Sequence, residues 1–215
     1  MERARALLLV GPTGSGKSPV GMLLEGLGPF RHFDFGAELR AAAEGQRGLQ
    51  SEDVAFVRHL LDNQLLLPDE SFDIALGLLG DFLARRRFDP RRQWLVLNGL
   101  PRHVGQARDI APLAAIRHVF VLECDPATVL ERVRRRVLGD GLDHSARPDD
   151  TPGAVARKLA IYEAETLPLV AHYRGLPAVA VHHLGVEANT PEVELARRIA
   201  ALVLGPGAEE RWQPV

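Results

Sequence analysis

Short, unbroken apolar runs alternate along the chain with longer stretches in which apolar residues recur every three or four positions. The runs fall at residues 6–10, 94–97, 118–122 and 178–181, with a weaker one at 32–34. A strand buried on both faces has no polar side to show. Trp94-Leu95-Val96-Leu97 and Val119-Phe120-Val121-Leu122 therefore predict interior strands of a parallel sheet. Helical periodicity predicts helices near 17–27, 36–45, 51–63, 69–86, 103–114, 126–137, 152–173 and 190–203. Ser51, ahead of Glu52 and Asp53, is the expected N-cap of one helix, and Asp125-Pro126 opens another. Alternation of this kind predicts a three-layer α/β domain with helices on both faces of a parallel sheet.

Two segments depart from the alternation. Residues 36–86 offer three helices with no strong strand between them, a helical excursion from the sheet. Residues 138–153 are rich in Gly, Pro, Asp and Ser and predict a surface loop. The 215 residues, 46% apolar and 25% charged, suit one domain with a sizeable core. With 26 basic against 28 acidic residues the net charge is −2, so neither nucleic acid nor an anionic membrane is an expected partner. No apolar run approaches the ~20 residues of a membrane span. Residues 6–10 are also short for a signal peptide's apolar region of ~7–15 residues, and are expected as a buried strand of a cytoplasmic protein. Cys124 stands alone and can form neither an internal disulfide nor a structural zinc site.

The strongest chemical signal follows the first strand. Gly11-Pro12-Thr13-Gly14-Ser15-Gly16-Lys17-Ser18 satisfies G-x-x-x-x-G-K-[ST], and it opens a predicted helix. Such a loop lets backbone N–H groups converge on phosphate oxygens, while the helix start favours negative charge. Gly11, Gly14, Ser15, Gly16, Lys17 and Ser18 are thus candidate triphosphate-binding residues, with Lys17 on the terminal phosphates and Ser18 on Mg2+. Lys17 and Lys158 are the only lysines among the 26 basic residues. Phosphate binding does not by itself choose among kinases, GTPases and ATPases.

Further stretches, in order and over about residues 6–200, resemble the adenylate kinase family of nucleoside monophosphate kinases. His32-Phe33-Asp34-Phe35-Gly36-Ala37-Glu38-Leu39-Arg40 resembles the family's HISTGDLLR segment, and Leu65-Leu66-Leu67-Pro68 its G-x-L-V-P turn. Asn98-Gly99-Leu100-Pro101-Arg102 with Gln106-Ala107 resembles DGFPR-x3-QA, and Arg147-Pro148-Asp149-Asp150 the lid's GR-x-DD. Lys158-Leu159 falls where the family has Arg-Leu. The resemblance implies a P-loop NTPase fold with a five-stranded parallel sheet in the order 2-3-1-4-5. It implies a core at 1–31, 68–137 and 153–207, an acceptor-binding helical insertion at 32–67, a short lid at 138–152 and a tail at 208–215. It implies transfer of the γ-phosphoryl of ATP to a nucleoside monophosphate, AMP preferred, with Mg2+ as cofactor, in a monomer.

By the same resemblance, Arg40 and Arg102 hold the acceptor phosphate and Gln106 reads an adenine edge. Phe35, Leu65, Leu67 and Gly99 line the acceptor side; Arg136, Arg147 and Lys158 close on the transferring group; Arg132 packs on the ATP adenine. Taken alone, the arginines at 132 and 134–136 read as a solvated helix face. The pattern also has departures. Phe35 stands where the family has threonine (or alanine in pyrimidine-preferring relatives), and Ala37 replaces an acidic residue. Asn98 replaces the aspartate that helps order Mg2+ and its waters, and is expected in the outer shell of that ion; Lys158 replaces an arginine. The lid lacks the four cysteines of a zinc-bearing one, so no zinc is expected. A different acceptor, such as CMP, UMP or a small metabolite, and a weakly catalytic nucleotide-binding protein are the two alternative readings.

Overall fold

The computed structural model describes residues 2–27, 29–63, 65–139 and 150–205. Five strands, β1 (Ala4–Val10), β2 (Phe30–Asp34), β3 (Trp94–Asn98), β4 (Ala114–Glu123) and β5 (Ala180–Gly185), form one parallel sheet. Their order is β2-β3-β1-β4-β5, as the resemblance implied. Alternate side chains of a strand point to opposite faces. Leu7 and Leu9 enter one apolar layer, under helices α1 (Lys17–Gly26) and α9 (Glu192–Leu204), with Val20, Leu24, Leu195 and Ile199. Leu8 and Val10 enter the other, with Phe33, Leu78, Phe82 and Leu169.

That second layer holds the helical excursion. Helices α2 (Phe35–Ala43), α3 (Ser51–Asp62) and α4 (Phe72–Arg85), the last preceded by a short 3-10 turn at Asp69–Ser71, occupy residues 35–85. Gln50, not Ser51, is the cap residue of α3, and its side chain makes no capping bond. Asp34 caps α2 by accepting the Ala37 N–H at 3.0 Å, and Asp125 caps α6 (Pro126–Val137) through the Thr128 N–H at 2.9 Å. Buried Glu38 receives the guanidinium groups of Arg47 and Arg85, joining α2 to α4.

Three elements differ from the sequence pattern. Helix α5 (Val104–Ile110) stops well short of residue 114, because Pro112 has no N–H to continue it and β4 begins at Ala114. The single helix expected over 152–173 is α7 (Pro152–Ile161) and α8 (Leu167–Arg174), joined by a widened π-turn at Tyr162–Thr166. Pro168 cannot donate to the carbonyl one turn back, and the wider turn accommodates its ring. Strand β5 lies at 180–185, overlapping the predicted run only at 180–181; as a sheet edge it buries only Leu184, which leaves little apolar pattern to read. No described helix is long and apolar enough to cross a membrane.

One contact between α1 and β2 sets two measurable properties. A Cβ on Gly21 would stand 2.2 Å from Nε2 of His32, whose buried imidazole fills the space against the helix. Alanine normally exceeds glycine in a helix by about 1 kcal/mol. Here the overlap reverses the sign, and Gly21→Ala should destabilise the protein by about 1–3 kcal/mol in urea unfolding. Trimming the ring with His32→Ala in the same chain should remove most of that loss.

The second property is pH dependence. Burial lowers the His32 pKa below 6.5 despite the opposing pull of Asp34 and Glu25, and Nε2 has no hydrogen-bond partner. The unfolded chain gains a proton near pH 6.5 that the folded imidazole resists, so this stabilisation is full above that pH. It is lost as pH falls toward the folded-state pKa. Unfolding free energy should therefore drop between about pH 7.5 and 5.5, and His32→Leu should flatten that slope. The residual slope belongs to His118 and His182, whose pKa values burial also lowers.

Candidate active site

The phosphate loop occupies residues 11–16, between the end of β1 and the start of α1 at Lys17. Gly14 (φ 76°) and Gly16 (φ 90°) adopt the left-handed conformation that glycine takes without strain. Neither has room for a side chain: a Cβ would lie 3.0 Å from Val133 at Gly14 and 3.0 Å from the Arg132 guanidinium at Gly16. Lys17 Nζ folds along the loop and donates to the carbonyls of Gly11 and Pro12, both at 2.7 Å. Ser18 Oγ donates to Asp34 Oδ2 at 2.5 Å. Asn98 Nδ2 donates to both of them, at 3.1 Å to Ser18 Oγ and 3.0 Å to Asp34 Oδ2. Strand pairing sets Asp34 directly beside Asn98, so the three side chains meet at the carboxyl edge of the sheet.

A cleft of about 510 Å³ opens over this loop. One wall carries Gly36, Leu39 and Arg40 of α2, Leu60 and Leu61 of α3, Leu65 and Leu66, and Gly99 and Arg102 beyond β3. The opposite wall carries Arg132, Arg135 and Arg136 of α6, Lys158 of α7, and residues 188–192. Among the described residues, seven cationic side chains line the cleft (Lys17, Arg40, Arg102, Arg132, Arg135, Arg136, Lys158) against the acidic Asp34 and Glu192. In a chain of net charge −2 this is a concentrated positive field, matched to polyanions.

Arg102, Arg132, Arg135 and Arg136 are each held in a definite pose. Arg132 Nε donates to Gly14 O at 2.9 Å; its Nη1 reaches the carbonyls of Glu187 and Thr190 at 3.1 and 3.2 Å. Its Nη2 pairs with Glu192 at 2.5 Å, so one guanidinium ties the phosphate loop to the β5–α9 connection. Arg135 Nη1 donates to Ala188 O at 2.8 Å. Arg136 makes a two-pronged pair with Asp150, Nε to Oδ2 being 3.0 Å, with only 9% and 2% of the two side chains exposed. The arginine run thus divides: Arg134 is solvated, with 74% of its side chain exposed, and the other three turn inward. Arg102 Nε donates to Gly99 O at 3.1 Å.

Of the sequence-predicted residues, Gly11, Gly14, Gly16, Lys17, Ser18, Arg40, Leu65, Asn98, Gly99, Arg102, Arg132, Arg136 and Lys158 share this cleft. Ser15, Phe35, Leu67 and Gln106 do not line it. Ser15 is fully buried behind the loop. The Phe35 ring lies in the core, stacked on Phe33 at 6.2 Å, because the first turn of α2 points that position at the sheet and turns Gly36 and Arg40 outward. Gln106 is buried: its Oε1 accepts the Arg102 N–H at 2.9 Å and its Nε2 donates to Leu67 O at 3.2 Å. It joins the Arg102 turn to the segment that follows α3. Arg147, most of the expected lid and the expected tail lie outside the described residues.

Arg135 and Asp34 are among the cleft residues that the sequence pattern does not single out. Arg135 was hidden in the arginine run, and Asp34 stood inside the quoted HFDFGAELR segment without a role. Outside the cleft, His182 stacks on Phe120 at 4.7 Å. Cys124 is half-buried, with its thiol pKa pushed up by burial. Among the described residues no three His, Cys, Asp or Glu side chains are grouped to hold a metal by themselves. Arg132→Ala strips donors from Glu192 and from four backbone carbonyls. It should lower unfolding free energy by about 1.5–3 kcal/mol, measured by chemical denaturation.

No family model matches the chain. Individual relatives do. It is 32% identical over 197 residues to an adenylate kinase of Synechococcus sp., covering 87% of this chain and 96% of the relative. It is 29% identical over 197 residues to one of Cyanothece sp., covering 92% and 94%. A Stenotrophomonas maltophilia adenylate kinase is 32% identical over 181 residues, covering 81% and 88%. A phosphate loop, a shared cleft of cations from four separate segments, and similarity at this level over nearly whole chains agree, and the chain belongs to the adenylate kinase family.

Proposed function

We propose that this protein is a nucleoside monophosphate kinase that moves the γ-phosphoryl group of ATP to AMP: ATP + AMP ⇌ 2 ADP. The observation that carries the reading is the convergence of Arg40, Arg102, Arg132, Arg135, Arg136 and Lys158 on the phosphate loop. Bringing two nucleotides together stacks negative charge at the reacting centre, and repulsion must be cancelled before transfer can occur. Fixed cations do this, and the arginine fork suits phosphate oxygens. The loop amides and Lys17 hold the donor's terminal phosphates. Arg132 stacks a face on the donor base while its edge serves the loop. Arg40 and Arg102 hold the acceptor phosphate, and Leu39, Leu60 and Leu65 give its base an apolar wall. Arg136 and Lys158 meet the transferring group. The reaction needs positioning and charge neutralisation, with no covalent intermediate.

Mg2+ suits the oxygen donors gathered at Ser18 and Asp34, a hydroxyl and a carboxylate of the kind this hard cation takes together with substrate phosphates. When bound, it neutralises charge on the donor phosphates. The helical insertion at 32–67 forms the acceptor side, so its approach to the α6 wall would exclude water from the transferring group.

One observation favours a second reading of the acceptor. Both ends of the Gln106 amide are engaged by backbone, so reading adenine requires it to exchange Leu67 O for the base. If that exchange does not occur, CMP or UMP is the acceptor. A panel of AMP, GMP, CMP and UMP with Mg2+ and ATP, followed by ADP formation, decides between them. AMP should give the highest kcat/KM, and Lys17→Ala should cut kcat about 100-fold or more while leaving the protein folded, as checked by circular dichroism. Faster turnover with CMP would establish the second reading. No transfer to any of the four would overturn the kinase assignment.

A further inference from the structure

We infer that Asp34, at the end of β2, is the metal-positioning carboxylate of this active site, a role that Asn98 at the end of β3 cannot fill. The inference rests on the triphosphate-binding part of the functional reading above. In P-loop NTPases Mg2+ is held by the loop's Ser or Thr together with an aspartate from a neighbouring strand. In this chain β3 ends in an amide, which carries no charge. The adjoining strand supplies the carboxylate instead, since the sheet register sets Asp34 beside Asn98.

The hydrogen bonds assign each oxygen a task. Asp34 Oδ1 caps α2 through the Ala37 N–H, and this explains the residue's presence only in part. A cap needs one acceptor oxygen and no charge, and Asn or Ser would serve as well. Oδ2 does something a cap does not require: it receives the Ser18 hydroxyl at 2.5 Å and the Asn98 amide at 3.0 Å. A serine hydroxyl has one proton and two lone pairs. Here the proton points to Asp34, and one lone pair accepts from Asn98 Nδ2 at 3.1 Å. The second lone pair is left for a cation on the phosphate side. The carboxylate thus sets the rotor of the metal-binding hydroxyl and adds a negative charge beside it.

The same geometry explains why Asn98 is an amide. A carboxylate at that position would face Asp34 Oδ2 at the distance where a donor now stands, and two carboxylates in contact cannot both stay ionised. One charge fits the pair, and it resides on β2. Moving it to β3 should therefore be tolerated, whereas deleting it should not.

The test uses the full chain and calorimetric ATP binding, once with excess Mg2+ and once in EDTA. The wild type should bind ATP more tightly with Mg2+. Asp34→Asn keeps the helix cap and should reduce the ratio of the two affinities about tenfold or more, with metal-free binding unchanged or tighter. Asp34→Asn combined with Asn98→Asp should recover the ratio to within about threefold. Asp34→Ser, also a good cap, repeats the measurement should the Asn variant fold poorly. A wild-type ratio in both single variants overturns the inference alone, as does a double variant no better than Asp34→Asn. A wild type that binds no ATP under either condition overturns the functional reading with it.

Discussion

All five strands run in the same direction, so their carboxyl ends gather along one edge of the sheet, where an open α/β sheet presents its ligand crevice. Every component of the cleft depends on this constraint. β1 delivers the phosphate loop, β2 delivers Asp34 and then α2 with Arg40, and β3 delivers Asn98 and then Arg102. β4 leads through Asp125 into α6, which carries Arg132, Arg135 and Arg136. An antiparallel pairing of any one of these strands would send its loop to the opposite edge and remove its side chain from the site. The continuous burial of β1 and β3 is what fixes that direction, because strands covered on both faces need helical crossovers, and those make them parallel.

Gathering cations in one place is electrostatically unfavourable on its own, and the protein offsets it locally. Arg132 is satisfied by Gly14 O, by the carbonyls of the β5–α9 connection and by Glu192; Arg136 is satisfied by Asp150. These partners also fix direction. A guanidinium already oriented over the phosphate loop loses less freedom when a phosphate arrives than one that waves in solvent. The widened turn before α8 and the two-helix arrangement around it leave Lys158, Ile161 and Tyr162 on the same wall. Folding and recognition here use the same contacts, so the charge that makes the cleft attractive to polyanions also locks α6 to the loop and to the β5–α9 connection.

How far the sequence could be read followed from how local each determinant is. The phosphate loop was fully legible, because its glycines, its lysine, the strand before it and the helix after it are contiguous. Strands β1 and β3 are legible for a similar reason, their apolar runs being unbroken, as is the second half of β4, whose first half is set apart by Arg117 and His118. Phe35 was placed beside the acceptor by motif, yet it lies in the core, since the sequence does not say which flank of α2 meets the sheet. The family resemblance marks Gln106 as a site residue, but its bond to Leu67 O joins residues 39 apart and shows only in three dimensions. Strand β5 was displaced because an edge strand with one fully buried side chain has almost no period to detect.

The sequence by itself determined the family, the parallel α/β layering and the identity of the phosphate-binding loop, since each is written in contiguous residues or in periodic burial. The tertiary structure alone decided which arginines turn inward and on which strand the site's carboxylate sits. Those outcomes depend on strand register and helix rotation, which bring Asp34 against Asn98 across 64 positions and Arg132 against Gly14 across 118. Contacts at such separations arise from packing of the whole domain, and no local pattern encodes them.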